Sequence, residues 1–279
     1  MATKKKPMST GVITNPPETL DDHIFYGMKL DPEQKVFRDM IYDPEKEIIF
    51  CEARAGSGKT TIAVATAVLM VELGLYKNIV YVMHSVGDAQ GFLPGTISEK
   101  SAVWFEPLYQ ALIVANKVPY MVINDESMTN QKNSSGFVTA ITDTYLRGSN
   151  IGADGKTILI IDEAQNYDEG SLRKVLTRAC EGTKVIVLGN TVQCDLGKWR
   201  ESGFEKCMAH FLAQGDERVG KCELKTCHRS FIADVADQNW GPAKEQLGFY
   251  WNEEDGLGIV PTAIGDDQWP YPHTPVCLK

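Results

Sequence analysis

The chain has no surplus of positive charge. Its 28 Lys and Arg face 37 Asp and Glu, giving a formal charge of −9 and a pI near 5.1. A broad cationic face for nucleic acid is therefore not expected, although a basic channel or loop fits inside an acidic total. Long apolar runs are also missing. The most apolar helical stretch, 62–75, is shorter than a bilayer span and contains Glu72, so it reads as a buried core helix and no membrane contact is expected. The start, MATKKKPMSTG, has lysines with no apolar stretch behind them, so no secretory signal is expected. The seven cysteines, Cys51, Cys180, Cys194, Cys207, Cys222, Cys227 and Cys277, form no regular framework. Reduced thiols in a cytoplasm are the expectation. Cys222, Cys227 and His228 suggest half a metal site, but their spacing fits no standard zinc pattern and no second pair follows. A buried strand with incidental thiols is the simpler reading. No internal repeat or low-complexity tract is found.

What the chain does have is IIFCEARAGSGKTT at 48–61. A short apolar run enters a glycine-rich turn ending in Lys-Thr, and a helical pattern follows. This is the sequence form of a phosphate-binding P-loop. Backbone N–H groups at glycine can curl around an anion, and the N-terminus of the following helix adds a positive dipole end. The phosphate-binding set is Ala55, Gly56, Ser57, Gly58, Lys59, Thr60 and Thr61. Lys59 is placed for the β- and γ-phosphates, and the Thr60 hydroxyl for Mg²⁺. Ala53 stands where the strict pattern has glycine, which requires φ < 0 there.

The remaining pattern alternates strands and helices. Helices are expected at 31–42, with Asp31 as N-cap and Pro32 in the first turn, and at 98–116, where Pro107 predicts a kink or a break. Others are expected at 169–180, 204–214 and 229–240. Strands are expected at 47–52, 78–84, 136–142, 156–161, 184–188 and 223–226 with some upstream residues. This order predicts an α/β fold with a mostly parallel sheet covered by helices on both faces. The expected organisation is a loose tail at 1–20, one P-loop ATPase domain at 21–240 and an irregular C-terminal extension at 241–279.

Hydrolysis requires an acidic pair at the end of a buried strand, and ILIIDEAQN supplies it. Asp162 is expected to hold Mg²⁺ and Glu163 to accept a proton from the attacking water, both delivered by a strand adjacent to the P-loop strand. In VIVLGNTVQCDL, Gln193 is a candidate for the γ-phosphate or the attacking water; an ordinary turn glutamine is the alternative. Gln34, in DPEQ, carries an amide able to donate to and accept from an adenine edge.

Taken together, DPEQ, RAGSGKT, GFLPG, TYLRG, IIDEAQN, LTR and GNTVQCDL, in that order, resemble PhoH-like proteins, P-loop ATPases related to superfamily 1 helicases. GFLPG followed by Glu99, Lys100 and EPLY is the most family-specific part, and the resemblance spans 30–237. It implies a single RecA-like core that binds and hydrolyses ATP with Mg²⁺, and a Gln34 contact to adenine. It also points to RNA unwinding or processing, since several family members are linked to these, others to phosphate starvation. Phages carry such genes, and a phage origin would put the chain in a host cytoplasm. Departures are Ala53, Asn190 in place of Asp, and HSVGD without the usual Arg-Pro pair. KTCHRS resembles a helicase segment with Tyr-Arg-Ser, and on that likeness Arg229 is the γ-phosphate arginine.

Related helicases hydrolyse ATP between two cores, the second supplying an arginine worth ~10³ to 10⁵ in rate. This chain has one P-loop. A neighbouring subunit is therefore expected to supply the finger from Arg229, Arg178 or Arg147, in a head-to-tail homo-oligomer that closes as a ring, with six subunits as the family-like number. Each arginine read alone is an ordinary surface ion pair. Single-stranded nucleic acid, RNA favoured, is the expected partner. Lys132 in NQKNSS is a candidate channel residue, and Phe92 and Tyr145 either stack on bases or pack their turns. The alternative function is a nucleotide-gated oligomeric regulator. A small-molecule kinase is a weaker reading, because DEAQ is helicase-like and no acceptor pocket is apparent.

Overall fold

A computed structural model of the chain describes residues 16–21, 25–84, 105–124, 136–146, 150–153, 155–196, 201–238, 247–252 and 256–261. The first helix, α1 (Pro32–Tyr42), begins as its sequence dictates. Asp31 Oδ1 accepts from Gln34 N at 2.8 Å, and Gln34 Oε1 accepts from Asp31 N at 3.1 Å, a reciprocal capping box. Strand β1 (Ile48–Ala53) runs into the glycine turn and α2 (Lys59–Glu72). Both faces of α2 are apolar, and Ile62 through Val68 are all buried, as expected of a helix enclosed by the core. Strand β2 (Asn78–Met83) follows, then α3 (Glu106–Val114), a short α4 (Pro119–Val122) that has no counterpart in the sequence reading, and β3 (Val138–Thr142).

Pro107 stands at a helix start, which fits a break. It lies in the first turn of α3, after Phe105 as N-cap, where a missing N–H costs nothing. Residues 98–104 of the expected helix fall outside the described residues. The second half holds β4 (Thr157–Ile161), α5 (Glu169–Leu176), β5 (Lys184–Gly189), α6 (Gly203–Leu212), β6 (Val219–Leu224) and α7 (Phe231–Ala236). The last strand lies mostly in the residues upstream of 223. Its burial alternates (Gly220, Cys222 and Leu224 in, Lys221 and Glu223 out), so charged residues belong to an edge strand that an apolar-run criterion misses.

The sheet order is β3-β2-β4-β5-β1-β6, with every pairing parallel. Helices cover both faces, as expected. One face packs α1, α2 and α3 through residues such as Phe37, Ile62, Val68 and Leu108, and the other packs α5 and α6 through Leu172, Val175, Phe204 and Met208. Each such side chain fully buried contributes ~1.5 to 3 kcal/mol. The acidic strand β4 is not adjacent to the P-loop strand β1; β5 lies between them. A parallel crossover need not land on the neighbouring strand, and nothing in an apolar run records which neighbour it takes.

Where the strands begin, Lys184 is buried, and its Nζ donates to Ile41 O at 2.8 Å and Asp43 O at 2.5 Å. It thereby satisfies carbonyl groups at the C-terminus of α1. Burial pushes its ammonium down to about 8, against the pull of Asp43 and Glu47.

The chain divides into two units, 1–235 and 236–279. In the second, an antiparallel hairpin of β7 (Leu247–Asn252) and β8 (Gly256–Pro261) replaces part of the expected irregular extension. The run LGFYWN is rich in aromatic strand formers, a signal that the Gly and Pro around it concealed. Among the described residues, no helix is long and apolar enough to cross a membrane.

Candidate active site

The parallel strands deliver their C-terminal ends to one edge, and the glycine turn sits there. Ala53 closes β1 in extended conformation, so the missing glycine is tolerated. Gly56 (φ 74°) and Gly58 (φ 86°) are left-handed. A Cβ on Gly56 would lie 2.7 Å from Arg229 Cγ, and one on Gly58 would lie 3.1 Å from Gln34 Nε2, so both positions need glycine for conformation and for space.

Gly58 is the N-cap of α2, and no side chain caps that helix. Its first-turn N–H groups are therefore available at the positive end of a 14-residue helix. Beside them Ser57 is buried, and among the described atoms its Oγ has no hydrogen-bond partner.

Two side-chain contacts join this turn to the end of β4. Thr60 Oγ1 donates to Asp162 Oδ2 at 2.7 Å, and Lys59 Nζ lies 3.0 Å from Glu163 Oε1. Asp162 is fully buried. Burial raises its carboxyl above the usual range, while Lys59 pulls it down. For Lys59, burial works to lower the ammonium, but Asp162 and Glu163 outweigh it and the net direction is up. The ammonium thus stays charged in a closely packed place.

Glu163 has φ 51° and ψ 43°, a left-handed backbone at a non-glycine residue. Such a conformation costs ~1 to 3 kcal/mol and persists where surrounding contacts enforce it. Here Gln165 Nε2 donates to Glu163 Oε2 at 2.6 Å, while Gln165 Oε1 accepts from Asn190 N at 3.0 Å. Gln165 thus ties the acidic turn to the end of β5. The backbone twist separates the two carboxylates: Asp162 faces Thr60 and Glu163 faces Lys59.

The other expected residues are more dispersed. Gln193 is exposed in the turn after β5, with its N–H on Asn190 O at 3.3 Å. The Gln34 amide is occupied within the chain at both ends, because Nε2 donates to Ser57 O at 2.8 Å and Oε1 serves the capping box. Arg229 is exposed, with its aliphatic stem against Gly56 of the same chain. Its segment is anchored there. His228 N donates to Gly56 O at 3.0 Å, His228 Nε2 lies 2.7 Å from Asp31 Oδ2, and Arg54 pairs with Asp234 at 2.9 Å. Arg178 lies at the opposite edge, where its carbonyl accepts from Ile151 N. Phe92, Glu99, Lys100, Lys132 and Arg147 lie outside the described residues, as does the Tyr145 side chain.

Cys222 is buried on β6 in register with Cys51, whereas Cys227 lies near Gly56. Among the described residues no His, Cys, Asp and Glu cluster of metal-site size occurs. The residues nonetheless fit a triphosphate with a divalent cation of the kind held by one carboxylate, one hydroxyl and phosphate oxygens. The uncapped helix end, the unpartnered Ser57 hydroxyl and the Thr60–Asp162 pair provide that donor set.

The family model for PhoH-like proteins matches residues 28–236. The chain belongs to the PhoH family. It is 33% identical over 190 residues to the PhoH-like protein of Mycobacterium leprae, covering 66% of this chain and 51% of that protein. Against Protein PhoH of Escherichia coli K12 it is 33% identical over 180 residues, covering 63% and 47%. The chain thus spans about half the length of the curated relatives it matches. Among solved structures, the Pif1 helicase from Candida albicans aligns at 15% identity and a TM-score of 0.34 over 70% of this chain and 40% of that one. Bacteroides sp Pif1 in complex with ADP-AlF4 aligns at 17% and 0.36 over 73% and 43%. The sheet order and glycine turn of this PhoH-family core are those of a P-loop NTPase fold.

Gln165 lies inside IIDEAQN, but nothing local signals its tie to Asn190. Tyr81 is a second such residue: its hydroxyl donates to Asp162 Oδ2 at 2.6 Å. A lone phenol in the apolar run NIVYVM was the only available signal, since a buried hydroxyl requires a partner.

Proposed function

We propose that this PhoH-family chain binds ATP with Mg²⁺ and hydrolyses it, and that hydrolysis is coupled to single-stranded nucleic acid, RNA favoured. The carrying observation is the Thr60–Asp162 contact, which brings the glycine turn and the acidic strand together across β5, with Lys59 and Glu163 paired beside it. In this reading the N–H groups from Ala55 to Thr61 and the Lys59 ammonium hold the phosphates. Thr60 and Asp162 hold the cation, whose chemistry is to neutralise charge on the transferring phosphoryl group. Glu163 takes the proton of the attacking water, and Gln193 orients that water or the γ-phosphate. Gln34 reaches adenine only by exchanging its bond to Ser57 O. Arg229 acts in cis, because its stem already rests on Gly56 and its segment is tied to Asp31 and Arg54. A closed ring of six subunits is then a means of gripping nucleic acid rather than a requirement for chemistry. The site of action is the cytoplasm, and the ATPase domain is 21–240 followed by an extension at 241–279. Phosphate release should be abolished by EDTA, restored by Mg²⁺ and accelerated by single-stranded RNA. Hydrolysis indifferent to RNA and single-stranded DNA would remove the coupling while leaving the ATPase.

A second reading, a nucleotide-gated binding protein, is favoured by the surface that follows Arg229. Phe231 and Ile232 on α7 are 81% and 77% exposed, and their helix is tethered to the glycine turn through Arg54–Asp234. Such a surface would present apolar side chains to a partner according to nucleotide state. Pull-down that depends on nucleotide, combined with polynucleotide-independent turnover, would favour this reading.

A further inference from the structure

Tyr81 lies in the second half of β2, in parallel register with Ile160 of β4. It is fully buried, and its ring packs edge-on against Phe105 with centroids 6.3 Å apart. Its hydroxyl donates to Asp162 Oδ2, the same oxygen that accepts from Thr60. The other oxygen, Oδ1, accepts from Glu163 N at 2.8 Å. A carboxylate offers about four acceptor positions. With three donors in place, one position is left, on Oδ1. Carbonyls within a parallel sheet are engaged in its ladder, and the Tyr81 phenol bonds instead to the carboxylate assigned to the cation. The carboxylate is thereby held in a fixed orientation by groups from β2, α2 and the acidic turn, with its free position determined.

We propose that Tyr81 is a positioning residue for the nucleotide–metal site, fixing the Asp162 carboxylate so that its one open acceptor position receives the cation or its water. This rests on the nucleotide-binding reading above. Tyr81→Phe keeps the ring and its packing on Phe105 and removes only the donor. In the full chain, Mn²⁺ binding is measured by electron paramagnetic resonance in the presence of a non-hydrolysable ATP analogue. Analogue binding is measured separately in EDTA by fluorescence of a labelled nucleotide. A hydrogen bond to a charged group is worth enough to move affinity ~10-fold or more. The expected result is a loss of that size in Mn²⁺ affinity, with metal-free analogue binding unchanged. Mn²⁺ affinity within twofold of wild type, with the analogue still bound, overturns the proposal for Tyr81 alone. Absence of analogue binding by the wild-type protein in the presence of Mn²⁺ overturns the parent reading and this one with it. If Tyr81→Phe does not fold, 4-aminophenylalanine at position 81 retains the ring and a weaker donor. Mn²⁺ affinity then falls several-fold if the proposal holds, and wild-type affinity overturns it. A role confined to packing would shift thermal unfolding in these variants and leave Mn²⁺ affinity unmoved.

Discussion

At the scale of single residues, the acidic turn separates its two carboxylates by backbone conformation. The left-handed Glu163 points its carboxylate toward Lys59, while Asp162 stays inside with Thr60 and Tyr81. A general base is worth ~10² to 10⁴ in rate. Glu163→Gln should therefore lower phosphate release by about that factor while an ATP analogue still binds, since the amide keeps shape and polarity but cannot take the proton. Parent-level turnover in this variant would transfer the base role to another group. Glu163 and Asp162 were legible because paired carboxylates after an apolar run are a strong local signal. Gln165 was not, because it joins the acidic turn to Asn190, 25 positions further along the chain.

At the scale of elements, the glycine turn is held from both sides. Helix α1 reaches it through Gln34 and Ser57 O, and the segment after β6 reaches it through His228 and Gly56 O. The other end of α1 is held by Lys184, whose charged form is disfavoured by burial. Its folded value of about 8 lies below that of a free lysine, near 10.4. Between those values the unfolded chain binds more protons, so this group adds stability as pH rises through the window. Lys184→Met removes the titration. The unfolding free energy of the wild-type protein relative to this variant should accordingly increase from pH 8 toward pH 10, as read by urea denaturation. A flat difference across that range would mean that Lys184 keeps an ordinary value. Element positions were largely readable, as at α1, where a capping aspartate and a first-turn proline stand side by side. Pro107 left a kink or a break open, because which of the two a proline marks depends on where the preceding residues go, and local pattern does not record that.

At the scale of the whole molecule, the decisive arrangement is the sheet order, which places β5 between the glycine turn and the acidic strand and brings Arg229 back over Gly56. If Arg229 acts in cis, mixing Lys59→Ala with Arg229→Ala subunits should restore no ATPase activity, whatever the assembly. A finger supplied between subunits would restore a measurable fraction, because some interfaces would pair an intact P-loop with an intact arginine. Light scattering with and without ATP and Mg²⁺ on the same samples fixes the assembly under test.

The sequence by itself determined the class of fold and the chemical types at the site. Apolar strands alternating with helices leave few ways to bury both faces of a sheet, and a glycine turn ending in Lys-Thr admits few uses. Tertiary structure alone decided the company those residues keep. It set β5 between the two motif strands, brought a buried tyrosine to Asp162, committed the Gln34 amide to the chain and laid Arg229 on its own glycine turn. Each of these depends on contacts between residues distant in the chain. Local pattern carries no record of such contacts, because they exist only once the strands have chosen their neighbours.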